Sequence, residues 1–315
     1  MLLSRVADSL YWITRYLERA EYTVRVLNVR LDLGLDRRRD GWDFGRLFAS
    51  LGMSAEQGLP DNPVSLVERV IFDASHPGSV AASVTAAREN ARQVREQIST
   101  EMWQQINELY LRLKQARPGA GSARPHYVSR LVIDGIHLFQ GYTDATMAHG
   151  EGWQYMQAGR FIERAASTAA LLDRHLADGA SAPDGSPLAQ LEWMGLLRSC
   201  CALEGYCRCY TADLRRSRIA EFLLLNAEFP RSVRFAAARV EQALRAIAPL
   251  TGRPPDGQAE RLAGRLHAPL GYGQIDEILQ DPHVYLETIR EHCARVHAAL
   301  FHTYISYRVE SALPA

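Results

Sequence analysis

Two six-residue stretches set a carboxylate between guanidinium groups: Arg15-Tyr16-Leu17-Glu18-Arg19-Ala20 and, 145 residues later, Arg160-Phe161-Ile162-Glu163-Arg164-Ala165. Residues three apart share a helix face, so Arg15 lies beside Glu18 and Arg160 beside Glu163. The adjacent Arg19 and Arg164 diverge from their glutamates. If the two helices face one another, Arg15, Glu18, Arg160 and Glu163 gather into one buried polar layer. Arginines in such a layer hold a carboxylate or phosphate. Glutamates there bind an amine or shuttle a proton. The same groups can also form an Arg–Glu lattice that only fixes helix register.

A second pair of stretches repeats in the same order. Glu68-Arg69-Val70-Ile71-Phe72-Asp73-Ala74-Ser75-His76-Pro77-Gly78-Ser79-Val80 aligns with Glu221-Phe222-Leu223-Leu224-Leu225-Asn226-Ala227-Glu228-Phe229-Pro230-Arg231-Ser232-Val233. Two ordered matches at nearly one offset argue for internal duplication, and the period is too long for a solenoid. Asp or Asn before Pro-x-Ser suits a helix–turn–helix corner. The following helix N-termini also offer free N–H groups to an anion. Arg231 would add to such a site in the second copy only, because Gly78 stands in its place in the first. Arg88 heads the most polar run, Arg88 to Glu96, read either as a solvated face or as a second-rank binding group. Arg88 and Arg231 therefore join the four motif residues as candidates.

Composition removes several chemistries. Lys114 is the only lysine, so Schiff-base catalysis and a phosphate-loop lysine are disfavoured. The chain has 36 basic and 36 acidic residues. Its one basic run, Arg37-Arg38-Arg39, lies between aspartates, which argues against nucleic acid as a partner. Cys200-Cys201 and Cys207-x-Cys209 lack zinc-knuckle spacing and read as buried reduced thiols. Neither Glu-x-x-His nor His-Glu-x-x-His occurs, so no metal or other cofactor is expected. Arg5 and Asp8 near the start do not suit a signal peptide, and no apolar run reaches membrane length. A cytoplasmic protein without a membrane partner is expected. A homo-oligomer is compatible with the sequence.

The elements that must carry these groups are helices throughout. Leu3, Val6, Leu10, Ile13, Leu17, Ala20, Val24, Leu27 and Leu31 recur at alternating three and four, a bundle seam. Tyr11, Arg15, Glu18, Tyr22 and Arg25 form a second stripe, about 140° from it. Helices are expected at 42–53, 64–72, 80–116, 127–149, 153–176, 188–226 (one bent or two), 232–248, 259–267 and 282–307, with 80–116 unbroken. Alternating strand patterns are absent. The expectation is an all-α bundle of two duplicated, pseudo-twofold-related halves, residues 1–117 and 127–315, joined by a linker at 118–126.

Leu3-Ser4-Arg5-Val6-Ala7-Asp8-Ser9-Leu10-Tyr11-Trp12, running into Arg15-Tyr16-Leu17-Glu18-Arg19-Ala20-Glu21, resembles the opening of the bacterial alpha-E domain family. Ala87-Arg88-Glu89-Asn90-Ala91-Arg92, Gly159-Arg160-Phe161-Ile162-Glu163-Arg164-Ala165 and Phe229-Pro230-Arg231-Ser232-Val233 extend the resemblance over essentially the whole chain. Thr14 stands where the pattern has glycine, and Gln157-Ala158 where it is more apolar. The resemblance implies an all-helical domain of unknown function. It implies partnership with circularly permuted ATP-grasp ligases and transglutaminase-like proteins, hence a role in making or modifying an amide-linked product. It assigns no catalytic residues. The leading expectation is an accessory that binds the ligase, or its anionic amino-acid or peptide substrate, through the Arg-x-x-Glu-Arg motifs. An independent enzyme using the same groups, and a pure scaffold, are the alternatives.

Overall fold

The computed structural model describes residues 2–36, 44–53, 62–117, 125–178, 185–252 and 257–306. The Arg37-Arg38-Arg39 run, most of the 118–126 linker and the chain after Ser306 lie outside the described residues.

The elements are α1 (Ser4–Asp36), α2 (Phe44–Ser50), α3 (Pro63–Val67), α4 (Val80–Gln93), α5 (Thr100–Gln115), α6 (Pro125–Thr146), α7 (Glu151–Asp178), α8 (Pro187–Ser199), α9 (Leu203–Tyr210), α10 (Arg216–Leu225), α11 (Val233–Leu250), α12 (Gln258–Tyr272), α13 (Ile275–Ile278) and α14 (Pro282–Leu300). Among the described residues there is no strand. α1 and α7 form the centre. α1 packs against α7, α4, α6 and α8, and α7 packs against α1, α11 and α14. α5 covers α4 and α6, and α12 covers α11 and α14. The α1 seam is buried from Val6 through Leu31, while Leu3 stays exposed.

The expected long helix at 80–116 is two helices. Val94 leaves helical geometry at φ −126°. A short 3-10 turn spans Arg95–Gln97, Ile98 is extended, and Ser99 caps α5 by accepting from the Met102 N–H at 3.2 Å. A serine cap breaks this helix without glycine or proline. Residues 188–226 form three helices, divided at Cys201 and Thr211, both with positive φ. α12 continues through Pro269 to Tyr272, beyond the expected end at 267.

The two Pro-x-Ser corners have matching geometry. Asp73 Oδ1 accepts from the Ser75 N–H at 3.0 Å, and Asn226 Oδ1 accepts from the Glu228 N–H at 2.9 Å, two residues on in each corner. Ser79 caps α4 and Ser232 caps α11. The cysteines depart from the buried-thiol expectation: Cys200 and Cys293 are buried, Cys201 and Cys207 are intermediate, and Cys209 is exposed.

Candidate functional site

α1 and α7 run side by side in the same direction. Leu2 meets Glu151, Thr14 meets Met156, and Arg30 meets His175 along their length. Their approach is closest at Gly159. A Cβ there would overlap the Tyr11 carbonyl oxygen and lie 2.7 Å from Thr14 Oγ1. Thr14 Oγ1 donates instead to the Met156 carbonyl at 2.8 Å, tying the helices backbone to side chain.

The motifs exchange partners across this seam. Arg164 grips Glu18 bidentately, Nε to Oε1 at 2.6 Å and Nη2 to Oε2 at 2.8 Å. Arg19 grips Glu163 in the same manner, at 2.7 and 3.1 Å. Arg15 adds a second guanidinium on Glu163 Oε2, at 2.6 Å. On α1, Glu18, Glu21 and Arg25 fall within an arc of about 60°, and Arg15 and Arg19 point to the other side. The ion pairs therefore form two flanks.

The first flank is the richer. Glu18 meets Arg164, with Arg231 at 3.5 Å and Arg160 at 3.9 Å. Glu21 is fully buried, and its Oε1 accepts from Arg231, from Arg25 at 2.9 Å and from His137 at 3.0 Å. Burial opposes its charged form, but Arg231, His137 and Arg25 hold the carboxyl well below the usual carboxylate range. Burial, followed by the like charge of Arg164, pushes Arg160 down to about 10. Burial also works against Arg231, but Glu21 and Glu18 raise it above its ordinary value. Arg160 donates from Nη2 to Gln140 at 2.7 Å, while its buried Nε has no partner. Among the described residues the flank sets four guanidinium groups against two carboxylates in direct contact. Arg160 and His137 are its more open members, His137 the most open at 49%.

The second flank is smaller and aromatic. Burial disfavours charge on Glu163, but Arg15 and Arg19 lower its pKa below the ordinary value. Arg15 lies over Trp12, 4.9 Å from the ring centre. Its Nη1 donates to the Tyr11 hydroxyl at 3.4 Å, which pairs with His297 Nδ1 at 2.9 Å. Burial and then Arg15 push His297 down to about 4, so the imidazole is neutral and accepts a hydrogen bond from the Tyr11 hydroxyl.

A family model described as "a predicted alpha-helical domain with a conserved ER motif" matches residues 2–305. The chain belongs to the alpha-E family. An uncharacterized protein of Mycobacterium bovis is 25% identical over 297 residues, covering 87% of this chain and 33% of that protein. Uncharacterized proteins of two Mycobacterium tuberculosis strains match over the same length, at 25% and 24% identity. The chain thus spans about a third of the length of the curated relatives it matches. No solved structure matches. Of the four Glu-Arg pairs in this alpha-E chain, Glu18-Arg19 and Glu163-Arg164 are the two that interlock across the seam.

Of the six candidates in this alpha-E domain, Arg15, Glu18, Arg160, Glu163 and Arg231 line the α1–α7 seam. Arg88 does not. It sits between α4 and α5, donating to Asn107 at 2.8 Å and to Glu89 at 2.8 Å, over the Tyr110 ring. The expected single layer is split, because side-by-side helices send Arg15 and Glu18 to opposite flanks. The bidentate partners are Arg19 and Arg164, which divergence from their own glutamates brings onto the other helix. Their identity in both motif copies was the signal for them. Glu21 and His137 were missed, since nothing in the duplication marks them; Arg25 stood only in the second stripe of the first helix. Arg231 reaches Glu18 and Glu21 on the seam.

Among the described residues no helix is long and apolar enough to cross a membrane, and no three of His, Cys, Asp and Glu group as metal ligands.

Proposed function

We propose that this alpha-E domain binds an anionic amino-acid or peptide substrate on the Arg160–Arg164–Arg231–Arg25 flank, serving an amide-bond-forming system of the ATP-grasp type. The observation that carries the reading is the surplus of guanidinium over carboxylate, with Arg160 Nε buried and without a hydrogen bond, 3.9 Å from Glu18 Oε2. Like-charge excess at low solvent exposure is relieved by a bound anion. The ATP-grasp partner follows from the family resemblance, not from the site. The test has two stages. Calorimetric titration with acetate and inorganic phosphate at constant ionic strength should show binding that Arg160→Gln weakens at least tenfold. ATP turnover and product mass are then measured with the ATP-grasp protein encoded nearby, with and without this chain. Absence of anion binding in the first stage refutes the site. Identical ligase behaviour without the chain refutes the accessory role.

A scaffold is the second reading, favoured by the Glu18–Arg164 pair, which is bidentate and almost wholly dry. In the binding role proposed above, that pair holds the seam while Arg160, Arg231 and Arg25 face the anion.

Duplication of the chain belongs to the same proposal. It is supported by equivalent packing, α1 with α4 and α6 against α7 with α11 and α14, and by the exchanged Glu–Arg pairs. On that packing α6 is the counterpart of α14. The halves then meet at the turn before Glu151, instead of the 118–126 stretch that composition favoured.

A further inference from the structure

One atom of the first flank is left over by anion binding, and it is an acceptor. Arg231, Arg25 and His137 all converge on Glu21 Oε1, leaving Oε2 buried with no hydrogen-bond partner. A buried acceptor left unpaired is costly, and its carboxylate is ionised here, so it calls for an N–H or O–H. Arg160 has the opposite lack: its Nε donor is buried and makes no hydrogen bond, Glu18 Oε2 standing 3.9 Å away. Arg231 links the two regions by touching both Glu18 and Glu21. The flank is therefore short of an acceptor, a donor and negative charge.

Three ligand types divide on this requirement. A bare anion supplies charge and an acceptor but nothing for Glu21. A free amino acid supplies a donor as an ammonium, adding a cation to a layer that already has two to spare. The C-terminal residue of a peptide supplies a carboxylate and, one carbon away, a neutral amide N–H. We propose that the site recognises a peptide carboxy terminus, with the carboxylate on Arg160 and the terminal residue's amide N–H donated to Glu21 Oε2. This rests on the anion-binding reading above and narrows its substrate class. Glu21 is then a specificity residue that distinguishes acylated from free amino acids.

The test is calorimetric titration of the full chain with four probes: acetyl-Ala-Ala, the same peptide methylated on its C-terminal amide nitrogen, L-alanine and acetate. Acetyl-Ala-Ala should bind at least tenfold more tightly than its methylated form and than L-alanine. In Glu21→Gln, with folding checked by circular dichroism, that gap should shrink to threefold or less. Equal binding of the parent and methylated peptides overturns the inference and leaves the anion site standing. Tighter binding of L-alanine also overturns it, because the amine would then be the recognised group. A gap unchanged in Glu21→Gln removes Glu21 from the recognition. Failure of every probe, acetate included, removes the anion site itself.

Discussion

Gly159→Ala tests whether the α1–α7 contact is as tight as the site requires. The new Cβ would overlap the Tyr11 carbonyl oxygen and sit 2.7 Å from Thr14 Oγ1. Ordinary contact needs roughly 3.4 Å or more, so the helices must part by over half an ångström. Backbone cannot rotate aside, which puts the overpacking cost at the upper end, about 3 kcal/mol. Loss of the Thr14–Met156 bond adds about 1 kcal/mol. The better helix propensity of alanine returns about 1 kcal/mol. The net loss is about 3 kcal/mol, a large share of the roughly 5–15 kcal/mol stability of a typical domain. With about 2.1 cal/mol/K of unfolding entropy per residue, the chain's Tm should fall by about 4–5 °C. Urea and thermal denaturation followed by circular dichroism measure this. Gly141→Ala on α6 is the control, because its Cβ would meet nothing within 4 Å. That variant should be neutral or stabilised by up to about 1 kcal/mol. Thr14→Ala combined with Gly159→Ala should not restore stability, since the overlapping atom is backbone. A Gly159→Ala protein within about 0.5 kcal/mol of the wild type would refute the close approach, and with it the exchange of Glu–Arg partners.

Other consequences follow from the same geometry. Arg164→Met removes the bidentate partner of buried Glu18, leaving Arg231 at 3.5 Å and Arg160 at 3.9 Å, and should cost about 3 kcal/mol by urea denaturation, whereas Arg19→Met, on the more open flank, should cost about 1 kcal/mol or less. His297 should titrate by NMR near 4, below its ordinary 6.5. Its folded value is the lower one, so the unfolded chain binds the proton first, and stability falls as pH drops from about 6.5 toward 4. Tyr11→Phe should raise the midpoint if the hydroxyl-to-imidazole bond helps hold the ring neutral. Exposed His283 shifts the other way, raised by its bond to Asp173 and then by that carboxylate's charge. Its contribution is complete below 6.5 and is lost as pH climbs through the raised folded value. Asp173→Asn should abolish that dependence in a pH series of Tm.

The family, the helical class and the four motif residues of the seam were legible in the chain, because they show as periodicity and repetition in the sequence. Leu10, Ile13, Leu17 and Val24 announced their buried face by spacing alone. Arg15, Glu18, Arg160 and Glu163 announced themselves by recurring. What spacing cannot encode is how two helices lie against each other. The choice of parallel, close-packed axes at Gly159 sends Glu18 to Arg164 and Arg19 to Glu163. It also divides one expected layer into two flanks. Arg88 shared the chemistry of the others but not their place, since its face of α4 looks toward α5. Glu21 and His137 became neighbours only when α6 docked against α1, more than a hundred residues apart along the chain. The Ser99 break was written in the sequence but is weak beside a long run without glycine or proline. Local patterns follow from the backbone's own geometry. The pairing of charges, and the one acceptor left bare among them, depended on long-range packing that only the tertiary structure decided.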